Sequence, residues 1–196
     1  MHSDERKLLE RLQQHDERAF NEIVEAYEQQ VFHLVHRIVG RRDEAEDLVQ
    51  DVFVQVFKAI GSFRGDAKLS TWIYRIAVNL CNNKTKYLKR RHSDAQEELE
   101  PALEREQEAH GLSYSGAALP DQVLQGQQLE QIFKRCIQEM DDDFRQAFIL
   151  RDLEGLSYEE VADIMGLAAG TVKSRIHRAR AVLRDKVSRA LGEPIA

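Results

Sequence analysis

Residues 170–184, GTVKSRIHRARAVLR, carry the cations Lys173, Arg175, Arg178, Arg180 and Arg184 and no acid, in a chain of 196 residues whose net charge is −6. Wound at about 100° per residue, the stretch stacks Val172, Ile176, Ala179 and Leu183 in one apolar stripe. Ser174, His177, Arg178 and Ala181 fall on the opposite side. Lys173, Arg180 and Arg184 flank one edge of that front, and Thr171 and Arg175 the other. A helix with an apolar back and a Ser/His/Arg/Lys front has the chemistry of a major-groove reader: arginine pairs with guanine O6 and N7, and serine with several base edges. The arginines later in the helix suit phosphates, which fix position rather than read sequence.

A second basic island lies at 61–92, where eight cations stand against one acid. It interleaves the aromatics Phe63, Trp72, Tyr74 and Tyr87 and the amides Asn79, Asn82 and Asn83 with Arg64, Lys68, Arg75, Lys84, Lys86, Lys89, Arg90 and Arg91. Aromatic rings, amides that reach base edges and a cationic track suit an unpaired strand. Trp72 shares a helical stripe with Ile73, Ile76, Ala77 and Leu80 and reads as core rather than as a stacking platform. Between the islands, residues 93–143 hold thirteen acids and three cations. Cations gathered into two islands of an acidic chain mark a polyanion-binding face.

The elements that must position these residues are helices. Three prolines and ten glycines in the whole chain leave room for long ones. Apolar residues recur at threes and fours through 5–38, which reads as one helical block ended by Gly40. A second helix runs from about Asp43 to Ile60, with Asp43, Glu44, Glu46 and Asp47 in its first turns, where the helix dipole favours acids. GSFRGDAKLST (61–71) is loop chemistry, and a third helix spans Trp72 to about Arg91. Periodicity lapses over 93–120, an acidic stretch with Gly, Ser and Pro that reads as a flexible tether. It returns after Pro120, with a further helix over roughly 142–153. Ser157 and Glu160 then form a capping box, a helix follows to Gly166, and another begins near Ala169–Thr171. Helix, short glycine-containing turn and helix make a helix-turn-helix. The expected fold is all-α, with two small helical domains, 1–92 and 121–192, joined by the acidic linker 93–120.

Function classes fall away on the same evidence. No apolar run approaches the ~18 residues of a membrane span, and the amphipathic, charged opening MHSDERKLLERLQQ does not read as a secretory signal. Cys81 and Cys136 are far apart and outside any CxxC spacing, as expected of a reduced cytoplasmic protein. HLVH (33–36) has neither a third ligand nor HExxH spacing. With no glycine-rich phosphate loop and no nucleophile–base arrangement, we expect no enzyme, catalytic residue, metal, cofactor or small-molecule substrate.

Two stretches in this order, DEAEDLVQDVFVQVFKAIGSFRGDAKLSTWIYRIAVNLCNNKTKYLKRR and LEGLSYEEVADIMGLAAGTVKSRIHRARAVLR, resemble the extracytoplasmic-function sigma factors of bacterial RNA polymerase. The resemblance covers both domains. It implies a factor that binds core RNA polymerase, through the β′ coiled coil and the β flap, and directs it to promoter DNA. By resemblance Asp47, Gln50 and Asp51, which share a helix face at i, i+3 and i+4, dock on the polymerase. The loop 63–71, with Phe63 and Lys68, helps form a pocket for a flipped −10 base. Asn79 and Asn83 read base edges there, and Lys84, Lys86, Arg90 and Arg91 hold the strand. Lys173, Ser174, His177 and Arg178 fall on positions that contact bases of the −35 element. Arg151, Ser157 and Arg175 fall on positions that touch mainly the DNA backbone, and Thr171 flanks them. The resemblance also implies an anti-sigma partner, a cytoplasmic protein that such a partner can hold at the inner membrane, and an acidic linker that runs toward the RNA exit path. Two other readings compete: a stand-alone helix-turn-helix regulator, which leaves the 61–92 island unexplained, and a sigma-mimicking adapter that binds an anti-sigma factor, which would have lost its DNA-facing cations.

Overall fold

A computed structural model describes residues 3–14, 16–95 and 120–192. The order of elements is α1 (Ser3–Gln13), α2 (Glu17–Val39), α3 (Arg42–Ala59), a 3₁₀ turn (Ile60–Ser62), α4 (Leu69–Ala95), α5 (Pro120–Gln138), α6 (Asp142–Phe148), a π turn (Ile149–Leu153), α7 (Tyr158–Met165) and α8 (Ala169–Leu191). No strand occurs among the described residues. Helices α1–α4 form the N-terminal half and α5–α8 the C-terminal half. The stretch from 96 to 119, which holds most of the expected tether and its acidic block, lies outside the described residues.

The helical block expected over 5–38 is two helices. Asp16 breaks it: its carboxylate accepts from the backbone N–H groups of Arg18 at 2.8 Å and Ala19 at 3.4 Å and so caps α2. Arg11 reaches from α1 to the same carboxylate at 2.8 Å and to Glu22 at 3.0 Å, which fixes the angle between the helices. The carboxylate satisfies backbone donors that would otherwise have no partner inside the helix. At the other end Gly40 adopts φ +83° and donates its N–H to His36 O, closing α2 with a left-handed cap.

The N-terminal half buries Ile23, Leu34 and Ile38 of α2 against Val52 and Ile60 of and after α3 and Ile73 of α4. Each such side chain contributes about 1.5–3 kcal/mol when withdrawn from water. Helix α4 starts three residues before the expected Trp72 and runs past Arg91 to Ala95, because Leu69 joins the buried stripe and draws the preceding turn into the helix. Trp72 sits half-buried on Phe63, ring centroids 5.2 Å apart, in the structural role expected of it.

In the C-terminal half, Phe148, Ile149, Leu150, Ile164, Ile176 and Leu183 meet between α6, α7 and α8. The expected helix over 142–153 is α-helical only to Phe148. It then widens by one residue: Glu154 N–H donates to Ile149 O at 2.9 Å, five residues back. Such π turns often occur at functional sites. This one carries Arg151, Asp152 and Glu154, whose side chains meet Tyr158, Arg180 and Arg37.

Candidate nucleic-acid interface

Helix α7 opens as the sequence requires. Ser157 Oγ accepts from Glu160 N–H at 3.1 Å, and Glu160 accepts from Ser157 N–H at 2.9 Å. Gly166 turns the chain with φ +65°. Helix α8 then buries Val172, Ile176, Ala179 and Leu183, the expected apolar stripe, and leaves Lys173, Ser174, His177, Arg178, Arg180 and Arg184 exposed. Thr171 lies exposed one turn before Ser174 and accepts the Ser174 hydroxyl on its backbone oxygen at 2.9 Å. The front of α8 is therefore a row of polar and cationic side chains on a rigid back, the shape and charge of a groove reader.

Its margins carry contacts the sequence did not announce. Arg175 pairs with Asp143 of α6 at 2.8 Å. Arg180 makes a two-pronged bond with Asp152, at 2.8 and 2.5 Å, which lifts its already high pKa further. Arg151 donates to Leu156 O at 2.7 Å and lies over the Tyr158 ring at 4.9 Å, while Lys173 lies 5.6 Å from the same ring. Tyr158 thus gathers two of the expected DNA-facing cations by cation–π attraction. Its place straight after the capping serine is the signal that points to it. Ser157 is occupied as the cap of α7.

The other island lies along α4 and the loop before it. Asn79 and Asn83 are exposed and one turn apart. Lys86, Arg90 and Arg91 are exposed and Lys84 half-buried, continuing the track toward the helix end. Among the described residues no ion pair ties these four cations. Lys68 stands out from the loop, its side chain 75% exposed, and donates to Glu160 of α7 at 2.8 Å. That pairing holds Glu160 below the usual glutamate range, helped by the backbone N–H of Ser157, and raises Lys68. Phe63 turns inward: it is 7% exposed, so the loop offers its backbone and Lys68 at the surface while Phe63 supports it from beneath. Tyr74 is also buried, against Glu154. Burial first and the neighbouring carboxylate second push its phenol up to about 12.

On α3, Asp47, Gln50 and Asp51 are exposed together, with Leu48, Val49, Val52 and Phe53 buried behind them. Arg41 pairs with Asp43 and Arg42 with Glu46, so the acids of the first turn belong to local structure. Asp47 and Asp51 have no ion pair among the described residues. Val54, exposed one turn on, extends this face with an apolar spot. His33 and His36 both pack on the Phe32 ring, at 5.9 and 5.7 Å.

Comparison with known proteins places these surfaces in a family. Residues 23–92 match the family model of Sigma-70 region 2, and residues 130–183 that of Sigma-70 region 4. The chain is 41% identical to the ECF RNA polymerase sigma-E factor of Escherichia coli K12 over 180 residues, 92% of each chain. It is 37% identical to the RNA polymerase sigma-H factor of Pseudomonas aeruginosa over 187 residues, 95% of each. Among solved structures, the sigma factor RpoE of Bartonella quintana, co-crystallised with the anti-sigma factor NepR, superposes with a TM-score of 0.67 at 26% identity, covering 86% of this chain and 96% of that one. CnrH, in complex with the cytosolic domain of CnrY, shares the fold, with a TM-score of 0.61 at 21% identity and coverage of 95% and 96%.

Proposed function

The chain belongs to the extracytoplasmic-function sigma factors, alternative sigma factors of bacterial transcription, and from that premise we propose how its two halves divide the work at a promoter. Region 4 (within 121–192) reads the −35 element as duplex. Lys173, Ser174, His177 and Arg178 face the bases, and Arg151, Ser157, Thr171 and Arg175 face the backbone. Region 2 (within 1–92) melts and reads the −10 element as a single strand: Asn79 and Asn83 reach base edges, Lys68 and the loop over Phe63 border the flipped base, and Lys84, Lys86, Arg90 and Arg91 hold phosphates. Asp47, Gln50 and Asp51 dock on the β′ coiled coil of core polymerase, and region 4 meets the β flap. An anti-sigma factor is the regulatory partner, as one is for the Bartonella relative, and the protein works in the cytoplasm. It acts by binding, without chemistry of its own.

The observation that carries this reading is the front of α8, where four polar or cationic side chains stand exposed over a fully apolar back. Run-off transcription tests it. Core polymerase with this protein, given fragmented genomic DNA, is expected to start at discrete sites that share two upstream elements. Binding to core without new starts, or no binding to core, would refute the reading.

A further inference from the structure

The basic island 61–92 holds four aromatic residues, and the fold uses three of them as core or support. Phe63 is 7% exposed and Tyr74 6%, and Trp72 lies half-buried on Phe63. Tyr87 is the fourth. It is 59% exposed, and among the described residues it has no ring, hydrogen-bond or ion-pair partner. A single exposed ring is ordinary on a protein surface. Its neighbours distinguish this one.

With Asn79 at zero and about 100° per residue, Arg75 falls at about −40°, Lys86 at about −20°, Arg90 at about 20°, Asn83 at about 40° and Tyr87 at about 80°. All of them are exposed, so they form one stripe along α4. Asn82, at the edge of the stripe, is engaged by Gln146 Nε2 at 2.5 Å, which leaves Asn79 and Asn83 as its open amides. At about 1.5 Å per residue, the ring stands about 12 Å along the helix from Asn79. Residues three and four positions away surround it on the surface: Asn83 and Lys84 before it, Arg90 and Arg91 after it.

A base can lie on an aromatic ring only when its own face is uncovered. In a duplex the next base pair covers that face, so a ring on a helix surface takes a base from an unpaired strand and passes over a paired one. Stacking does not read identity, since every base has a π-face. The amides one and two turns away suit base edges, and the cations suit phosphates. Ring, amide and cation thus take three different parts of one nucleotide chain.

We propose that Tyr87 is a stacking platform for one unpaired base of any identity, beside the bases whose edges Asn79 and Asn83 reach, and that it favours the melted strand over the duplex. The inference rests on the reading of α4 as the −10 face. It adds affinity that is blind to sequence and, unlike that of the cations, blind to salt, because a neutral ring releases no counterion.

The test uses the full chain bound to core polymerase and a fluorescent single strand carrying the −10 element of a start mapped by run-off transcription. Tyr87→Ala is expected to weaken strand binding about tenfold and to leave the slope of affinity against salt unchanged. Tyr87→Phe is expected to bind within about twofold of the parent and Tyr87→Leu to bind like Tyr87→Ala, which separates a stacked ring from apolar bulk. An abasic-site scan then locates the base. One position is expected to weaken the parent about tenfold and Tyr87→Ala not at all, and any base put back there is expected to restore the parent. Equal binding by the parent and Tyr87→Ala, a Tyr87→Leu variant as good as the parent, or no position whose abasic cost disappears in Tyr87→Ala overturns the inference. Base-edge reading is scored on the same strand, where Asn79→Ala is expected to relax preference at one base. If it does so while Tyr87→Ala changes nothing, the −10 reading stands and the platform is lost. A parent complex with no preference for this strand over a scrambled one removes both.

Discussion

The two basic surfaces hold most of their cations differently. On α8 and its surroundings four are tied down, Arg175 to Asp143, Arg180 to Asp152, and Arg151 and Lys173 to the Tyr158 ring, while Arg178 and Arg184 stand without an ion pair among the described residues. Along α4, Lys84, Lys86, Arg90 and Arg91 stand without an ion pair among the described residues. The difference fits the two targets proposed above, a duplex for α8 and a single strand for α4. A duplex groove is a rigid shape, and side chains fixed beforehand lose less entropy on meeting it. A single strand is pliable, and long unfastened side chains can follow it. The lesson is that net charge is a poor guide to how a surface reads nucleic acid. What surrounds each cation separates the two modes.

The comparison breaks first if the two halves are not separate folding units. Ile164 is fully buried under the helix-turn-helix, and Ile73 holds the equivalent place in region 2. Truncation of either to alanine leaves a cavity that costs about 2–5 kcal/mol. Ile164→Ala is expected to melt the C-terminal half early while the N-terminal half unfolds as in the parent, and Ile73→Ala to do the reverse. Hydrogen exchange followed by helix would show this. Simultaneous loss of protection in both halves would make them one cooperative unit.

A smaller effect sharpens the contrast between reading and holding. Arg178 has its guanidinium on the front of α8, and Arg91 lies on the α4 track. Arg178→Ala is expected to cost about 1–3 kcal/mol at one base pair of the −35 element and to relax preference there. Arg91→Ala is expected to weaken strand binding evenly across sequences and to lower the slope of affinity against salt by about one contact. Binding titrations over matched and single-mismatch oligonucleotides at two salt concentrations distinguish the two outcomes. An even loss from Arg178→Ala would place it among the phosphate contacts instead.

Much of this was legible beforehand, for identifiable reasons. The capping box at Ser157, the turn at Gly166 and the stripe Val172–Ile176–Ala179–Leu183 are local patterns, and each is present in the fold. The break at Asp16 was hidden because Gln14, His15 and Asp16 also read as a polar stretch of one long helix, and the cap that Asp16 makes to Arg18 and Ala19, braced by Arg11, shows that the chain turns there. The inward turn of Phe63 and Tyr74 was hidden for another reason. In a basic segment an aromatic ring suits a strand or a core equally, and the choice depends on what packs over it. Least visible were the contacts of Glu154, Gln138 and Gln146, which join residues 64 to 117 positions apart. No period or spacing in the sequence encodes those.

The smallest expected effect concerns Tyr74, where the two halves meet. Its phenol faces Glu154, Arg37 and Tyr27, and burial first, then the Glu154 carboxylate, push it up to about 12 from an ordinary value of 10.0. A group whose proton is held more tightly in the folded form stabilises that form fully below the ordinary value, and the contribution is lost as the pH rises through the raised one. The joint should therefore be insensitive to Tyr74 at neutral pH and weaken between about 10 and 12. Tyr74→Phe removes the ionisation and with it this part of the alkaline loss, though it also removes one donor to Glu154. With spin labels placed through Lys58→Cys and Asp185→Cys, one in each half, the parent is expected to lengthen its interdomain distance across that window. The phenylalanine variant should begin slightly longer at neutral pH and change less on raising it. Equal alkaline responses in both proteins would assign the opening to other groups, and Tyr74 would then be a packing residue whose hydroxyl merely has a partner.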